Sequence, residues 1–288
     1  IPLLDPDRFL VRTMPFVGKL INGFGAVLWL GVVGWALKVV ADNFPTLRQH
    51  TQSVLAPDNL FLLYAGLIVV KTLHEFGHAY FCRKFGGEVH TMGVLFMIFT
   101  PVPYMDATSS WAFRSRWQRI LVGAAGMIVE LFVAALATFV WANTGAGTLH
   151  SLAYNMMFVA SVSTVVFNLN PLLRFDGYYI LSDLLEIPNL SQRANKQLRY
   201  YGERWLFGLN KEEPPTQRRR EAAWLVVFGL TSGIYRLIVF GGILLLVADH
   251  FFILGILMAL VCLISWIIVP VGKFFHYLSA SPRLDRHR

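Results

Sequence analysis

Residues 60–82, LFLLYAGLIVVKTLHEFGHAYFC, form a long apolar run that contains one lysine, one glutamate and two histidines. Its length matches the about 20 residues that an α-helix needs to cross the hydrocarbon core of a bilayer. The whole chain has the composition of a membrane protein, since 56% of its 288 residues are hydrophobic, 15% are charged and the mean hydropathy is +0.54. Ionisable groups inside a membrane span are costly and are usually functional or paired. The stretch therefore predicts a transmembrane helix that carries a polar site.

Five further apolar runs accompany this one along the chain. Together they predict an all-α polytopic membrane protein with about six transmembrane helices. The stretch 86–107 instead has alternating β-branched or aromatic residues that end at Pro101 and Pro103, and it predicts a small membrane-associated β-hairpin or re-entrant sheet. A free strand edge there is a candidate site for an extended substrate, and the alternative is a hairpin that only packs against the core. The six predicted spans are residues 20–41, 60–82, 117–141, 151–171, 222–247 and 250–272.

The basic residues are distributed unevenly along the chain. Of the 25 Lys and Arg residues, three lie in the N-terminal arm, five in the 83–119 region, nine in the 172–221 connection and four in the C-terminal tail. The loops on the opposite side hold two. This positive-inside asymmetry predicts that both termini and both long loops are cytoplasmic. The net charge of +8 therefore reflects the orientation of the chain in the membrane. No nucleic-acid partner is expected. The 172–221 connection predicts an amphipathic, basic segment on the inner leaflet of the lipid bilayer.

The sequence HEFGH, residues 74–78, places two histidines four positions apart with a glutamate between them. On a helix, positions i and i+4 lie on one face, so His74 and His78 can reach one tetrahedral zinc ion while Glu75 lies beside its open coordination position. The plain alternative is a chance spacing or a pairing with neighbouring residues, and the cost of ionisable groups in lipid argues against it. The motif predicts a hydrolytic zinc site with Glu75 as the general base.

A third zinc ligand has to come from another part of the chain. The fourth predicted span runs in the same direction as the second and ends in NLNPLLRFDGYY, residues 168–179, so Asp176 arrives at the depth of the two histidines. Pro171 and Gly177 are residues that can break the helix and turn the carboxylate toward the metal. We therefore predict that Asp176 completes a Zn²⁺ site with the two histidines.

The two motifs together resemble the site-2 protease family of intramembrane zinc metalloproteases, and more narrowly its bacterial peptide zinc metalloproteases. That family pairs H-E-x-x-H on one transmembrane helix with N-x-x-P-x-x-x-L-D-G near the end of another. The second motif occurs here with phenylalanine in place of leucine. Its residues are Asn168, Pro171, Phe175, Asp176 and Gly177.

The resemblance implies an activity and a set of roles. The activity is hydrolysis of a peptide bond in a membrane-embedded or membrane-associated protein or peptide. Asn168 would be a second catalytic residue that bonds the substrate backbone or the oxyanion. Leu173 and Tyr178 stand where the family has a proline and a glycine, which bears on substrate fit more than on zinc binding. The resemblance also implies that His74, His78 and Asp176 hold zinc and that Glu75 is the general base.

Other functions and a domain organisation follow from the same residues. The alternative function is a non-proteolytic metal-binding membrane scaffold or a subunit of an export or secretion assembly, and Glu75 argues against it because a structural site needs no base. A transporter would leave the second motif unexplained. A secretion-adaptor or regulatory partner is an open prediction. The start at Ile1 suggests a fragment of a longer protein. We predict one membrane-embedded metalloprotease domain over 1–288, with a catalytic core at 60–180 and two C-terminal transmembrane helices within 222–272.

Several other residues in the spans have structural explanations. Glu130 and Arg236 are predicted to form an ion pair or to line a cavity. Lys71 is expected to snorkel or to face a water-filled vestibule. The run Gly123–Gly126 allows its helix to approach its neighbours closely.

Overall fold

Among the residues that the structure describes, five helices are long and apolar enough to cross a membrane. The computed structural model describes residues 1–51, 54, 56, 58–97, 100–207, 214–250, 252–269 and 271–272. Its elements are β1 (Pro2–Leu4), α1 (Asp7–Val17), α2 (Gly23–Asp42), α3 (Phe44–Thr51), α4 (Leu60–Lys84), β2 (Met92–Met97), β3 (Thr100–Met105), α5 (Arg116–Asn143), α6 (Thr148–Val162), α7 (Asp176–Leu185), α8 (Leu190–Phe207), α9 (Arg219–His250) and α10 (Phe252–Leu263). A 3₁₀ turn, Thr108–Ala112, and two π-helical stretches, Ser163–Asn168 and Ile264–Ile268, complete the secondary structure.

The predicted fold class is confirmed, because membrane-length helices dominate and a small antiparallel sheet is present. The sixth predicted span corresponds to α10 and the π-helical stretch that follows it, which together are shorter than the other five. Residues 251, 270 and 273–288 of that region and of the tail lie outside the described residues. The five membrane-length helices are Gly23–Asp42, Leu60–Lys84, Arg116–Asn143, Thr148–Asn168 and Arg219–Asp249.

The centre of the fold is a bundle of α4, α5 and α6. In their apolar windows 22, 44 and 39% of residues are buried, against 11% in α2 and 6% in α9, so the last two helices lie at the periphery. The apolar outer faces of all five suit a lipid solvent, in which a helix already satisfies its own backbone hydrogen bonds. Val70 of α4, Val133 and Ala134 of α5 and Ala160 of α6 form one buried cluster at the middle of the bundle.

The end of α4 is fixed by a pair of glycines. Gly86 has a left-handed φ of +92°, which is readily accessible only to a residue without a Cβ. The N–H of Gly86 donates to the carbonyl of Arg83 at 3.1 Å, and the N–H of Gly87 donates to that of Cys82 at 3.0 Å. These two bonds make a Schellman motif, which stops the helix two turns after the second histidine and reverses the chain into the sheet.

The sheet has the order β1-β2-β3 and is antiparallel throughout. The predicted hairpin over 86–107 is thereby confirmed, with residues 98–99 of its turn outside the described part. The N–H of Asp106 donates to the carbonyl of Thr91, and the alternation of antiparallel pairs from there turns Pro101 and Pro103 toward the outer edge of β3. Proline is tolerated at that edge because no ladder bond is lost. The outer edge consequently lacks two N–H donors, which limits strand addition by a substrate there.

The predicted amphipathic connection contains two helices. Helix α7 packs on α5, where Arg119 Nε donates to Asp183 Oδ1 at 2.6 Å. Helix α8 packs on α9 through a buried apolar cluster that includes Leu190 and Leu225. Residues 208–213 of the connection lie outside the described residues. The salt bridge to Asp183 anchors the helix whose first residue is Asp176.

Candidate metal centre

Two histidines of α4 face inward at the centre of the bundle. His74 is 4% exposed, and its Nε2 lies 3.0 Å from His78 Nε2. The i, i+4 spacing on a helix produces this approach without help from other elements. Both rings therefore present one nitrogen each to the same point in space.

Asp176 reaches that point from the N-terminus of α7. Helix α6 gives way to the π-helical stretch Ser163–Asn168, and the chain then turns before α7 begins at Asp176. A Cβ on Gly177 would lie 2.7 Å from the carbonyl oxygens of Asn168 and Leu169, so the glycine allows α7 to start against the end of the π-helix. The predicted helix break is present at this place.

The three groups have the spacing of ligands around a tetrahedral ion. Asp176 Oδ2 lies 3.2 Å from His74 Nε2 and 3.5 Å from His78 Nε2. Metal–ligand distances of about 2.0–2.2 Å give ligand–ligand separations of roughly 3.3 Å in a tetrahedron. Within the part of the chain that the structure describes, this is the one group of three such side chains close enough to share a metal ion.

The contacts of the two Nδ1 atoms favour tautomers that leave the Nε2 lone pairs at this point. His78 Nδ1 lies 2.7 Å from the carbonyl oxygen of Val122, which can only accept, so Nδ1 carries the proton. His74 Nδ1 lies 3.2 Å from Glu130 Oε1, which favours the same tautomer. Both Nε2 atoms then face the buried Asp176 Oδ2, which has no aligned donor among the described residues, so the three atoms meet as acceptors. At these distances two imidazole nitrogens and one carboxylate oxygen can hold a cation together, and this donor set suits Zn²⁺.

Glu75 follows His74 in the chain and faces a different element. Its Oε2 accepts the N–H of Met105 at 3.1 Å, at the end of β3. This N–H points to the same outer edge of the sheet as the two prolines. The hairpin thus holds the carboxylate next to the metal-ligand face of α4.

Glu130 is fully buried in α5, and its partner differs from the predicted one. Lys71 Nζ donates to Glu130 Oε1 at 2.7 Å, so the predicted pair with Arg236 is wrong, and Arg236 is exposed on α9. Lys71 is also predicted to snorkel or to face a water-filled vestibule, but it contacts Glu130 inside the bundle instead. Asn168, 4% exposed, donates through Nδ2 to Glu130 Oε2 at 3.0 Å. One amide hydrogen of Asn168 is thereby committed to Glu130, and the other is left for a second acceptor.

Gly126 is a site residue that the sequence pattern did not reveal. A Cβ built on it would lie 2.3 Å from His74 Cε1 and 2.5 Å from His74 Nε2. The run Gly123–Gly126 does allow close helix packing, as predicted, and the structure adds that an imidazole lies directly over one of its glycines. Asp106, which directly follows β3, is exposed. The hydroxyl and the N–H of Thr108 hold the pKa of its carboxyl below the usual value.

Comparison with known proteins agrees with the HEFGH motif. Residues 62–154 match peptidase family M50, the site-2 protease family. The predicted resemblance is confirmed. The matched range contains the HEFGH motif and Glu130, and it ends before Asn168 and Asp176. Together with the five apolar helices, the match identifies an integral membrane protein.

A curated relative gives the same indication. The chain is 31% identical over 122 residues to the Bacillus subtilis (strain 168) protein named "Putative peptide zinc metalloprotease protein YydH". The alignment covers 42% of this chain and 46% of the relative, so the chain spans about half the length of the relative that it matches. No solved structure gives a significant match.

Proposed function

We propose that the protein is an intramembrane zinc metalloprotease that hydrolyses a peptide bond of a membrane-embedded or membrane-associated protein or peptide. The observation that carries the proposal is the triangle of three acceptor atoms, with edges of 3.0, 3.2 and 3.5 Å, beside Glu75. The M50 match supports metalloprotease chemistry for the part of the chain that contains this glutamate. A structural metal site would not require a carboxylate at that position.

Each residue of the centre has a role in this proposal. His74, His78 and Asp176 would hold the ion, which when bound supplies Lewis acidity that lowers the pKa of water and polarises a carbonyl. Glu75 accepts a proton from the attacking water and delivers it to the leaving amine. Met105 holds the glutamate by its N–H. Asn168 has one amide hydrogen left, which we assign to a substrate oxygen.

The substrate is proposed to be an extended or locally unwound segment. A transmembrane helix protects its carbonyls by internal hydrogen bonds, so it has to unwind before cleavage. The outer edge of β3, which pairs with no further strand among the described residues, lies beside Glu75, and its Pro101 carbonyl accepts the hydroxyl of Tyr64 at 3.2 Å. Because Pro101 and Pro103 lack N–H groups, this edge can contact an extended substrate but cannot form a complete ladder of backbone hydrogen bonds with it. We also propose a bacterial inner-membrane location with cytoplasmic termini, one membrane-embedded protease domain, and a secretion-adaptor or regulatory partner.

Zinc content tests the site directly. Detergent-purified wild-type protein is expected to hold about one zinc per chain, measured by mass spectrometry of the metal. Asp176→Ala removes one of the three ligands and is expected to lose most of it. Asp106→Ala is the matched control, because it removes an exposed carboxylate outside the centre. A folded wild type without zinc, or zinc that is indifferent to Asp176, would overturn the proposal.

A further inference from the structure

Glu130 is a fully buried carboxylate that contacts a proposed metal ligand. Its exposure is 0%, and it lies on α5, which α4 and α6 flank. Oε1 accepts from Lys71 Nζ at 2.7 Å and from Ser163 Oγ at 3.4 Å. Oε2 accepts from Thr164 Oγ1 at 2.5 Å and from Asn168 Nδ2 at 3.0 Å. These donors come from α4 and from the π-helical stretch, so the carboxylate has no rotational freedom left.

The π-helical winding helps to gather the donors. In a π-turn the residues i and i+5 are one turn apart, and Ser163 and Asn168 have this spacing. The N–H of Leu169 donates to the carbonyl of Thr164 at 2.8 Å, which is the i to i−5 bond of such a turn. The helix distortion therefore turns three polar side chains toward one carboxylate.

The remaining contact of Oε1 is with the proposed metal ligand. His74 Nδ1 lies 3.2 Å from this oxygen, without the alignment of a full hydrogen bond, and no other acceptor reaches that nitrogen among the described residues. Gly126, one turn before Glu130 on α5, lets the imidazole lie flat against the helix. The ring is thus placed by a glycine beneath it and a carboxylate at its outer nitrogen.

We infer that Glu130 is a positioning residue of the metal centre: its carboxylate holds the Nδ1–H of His74 and so directs Nε2 at the ion. The inference rests on the proposed zinc site. Carboxylates behind metal-bound histidines fix the ring tautomer and raise the basicity of the ligand nitrogen. Lys71 pairs with this carboxylate in the interior and also donates to Ser163. An ion pair between Lys71 and Glu130 alone would not need an oxygen at His74.

Zinc affinity, measured by competition with a chromophoric chelator, tests this role without any substrate. Glu130→Gln keeps the size of the side chain and removes its charge, and we expect about a 10–100-fold loss of zinc affinity. The double variant Glu130→Gln with Lys71→Met keeps the interior neutral, so it tests the role if the single variant fails to fold. Thr138→Val is the matched control, since Thr138 is buried on the same helix and, among the described residues, bonds only the carbonyl of Ala134.

A second measurement separates positioning from stability. Co²⁺ loaded into the site reports ligand geometry through its visible absorption, and the band is expected to shift in both Glu130 variants and to stay unchanged in Thr138→Val. Unchanged zinc affinity and an unchanged Co²⁺ spectrum in the double variant would overturn the inference while leaving the zinc site intact. A folded wild type that takes up neither metal would instead overturn the proposed function and this inference with it.

Discussion

Neighbouring residues of the HEFGH motif take different roles because successive helix positions face different directions. The two histidines face α5 and α7, where Val122, Glu130 and Asp176 contact them. The glutamate is rotated by about 100° from its histidine neighbour and faces β3. A single turn of helix thus presents the proposed zinc ligands on one face and the proposed base on another, and a different element contacts each face.

Replacing Glu75, the proposed base, should leave the proposed zinc ligands undisturbed. We expect Glu75→Gln to retain zinc at the wild-type level, since the side chain keeps its size and is not a ligand. Cleavage of a membrane-embedded reporter protein should fall by about 10²–10⁴-fold, because general-base catalysis is lost. Metal analysis and reporter cleavage on the same preparation measure the two effects. Persistent cleavage by this variant would exclude Glu75 as the base, and zinc binding without cleavage in the wild type would favour the scaffold alternative.

Gly126 should tolerate no side chain. A methyl group there would lie within 2.6 Å of three atoms of the His74 ring, so the ligand has to move. We expect Gly126→Ala to lower zinc affinity at least about tenfold, and strain of this kind costs about 1–3 kcal/mol of stability. Gly34→Ala on α2 is the control, because a Cβ there meets no atom of the described residues within 4 Å. Equal zinc affinity in the two variants would show that the ring is not held against α5.

At the residue scale, the sequence predicted the parts of the site that local spacing determines. His74, Glu75 and His78 belong to one helical turn, so their relation follows from helix geometry alone. Glu130 and Gly126 escaped prediction as site residues because their contact with His74 depends on the rotation of α5 against α4. A small-residue run indicates that helices approach, but it does not indicate which side chain lies across the glycine.

At the element scale, the hairpin has a second function besides packing. The outward N–H of β3 at Met105 is bonded to Glu75, whereas the two other outward positions are prolines. The outer edge of β3 therefore bonds Glu75, the proposed base, and offers few backbone donors for pairing. The sequence predicted the hairpin from its alternation and prolines, but strand register was needed to find the contact with α4.

Replacing Met105 with proline should isolate that hydrogen bond. Position 105 has the same outward orientation as Pro101 and Pro103, so the ladder with β2 is expected to persist. Losing one hydrogen bond of about 1.4 kcal/mol predicts roughly a tenfold lower rate of reporter cleavage, with zinc content unchanged. Met105→Ala removes the buried side chain and keeps the N–H, and it is the matched control. If both variants lose activity equally, the side chain and not the N–H is responsible.

At the scale of the whole molecule, apolar length predicted the membrane helices well and the connections less well. Runs of about 20 apolar residues are bounded by polar joints, so their ends fall within a few residues of the observed helices. The 172–221 connection lacks such a signal. Its first part folds back on α5 through Arg119 and Asp183, a contact between residues far apart in the chain. That fold-back carries Asp176 into the site.

The distance from His74 to the charged end of α4 indicates how deep the site lies in the membrane. His74 lies ten residues before Lys84, or about 15 Å at a rise of 1.5 Å per residue, which is roughly half of a 30 Å hydrocarbon core. If the basic connections are cytoplasmic, the site lies within the bilayer and opens toward the cytoplasmic half. A substrate would then have to enter laterally or bend into the membrane from that side.

Cysteine labelling in intact cells tests this orientation. In a background with Cys82→Ala and Cys262→Ala, we expect Gln192→Cys on α8 to react with a membrane-impermeant thiol reagent only after the cells are broken. Gly145→Cys, in the turn between α5 and α6, should react in intact cells, since both positions are exposed and only their side of the membrane differs. The reverse pattern would place the basic connections outside, against the positive-inside asymmetry. The site would then open to the opposite face of the membrane, and a substrate would reach the zinc ligands from there.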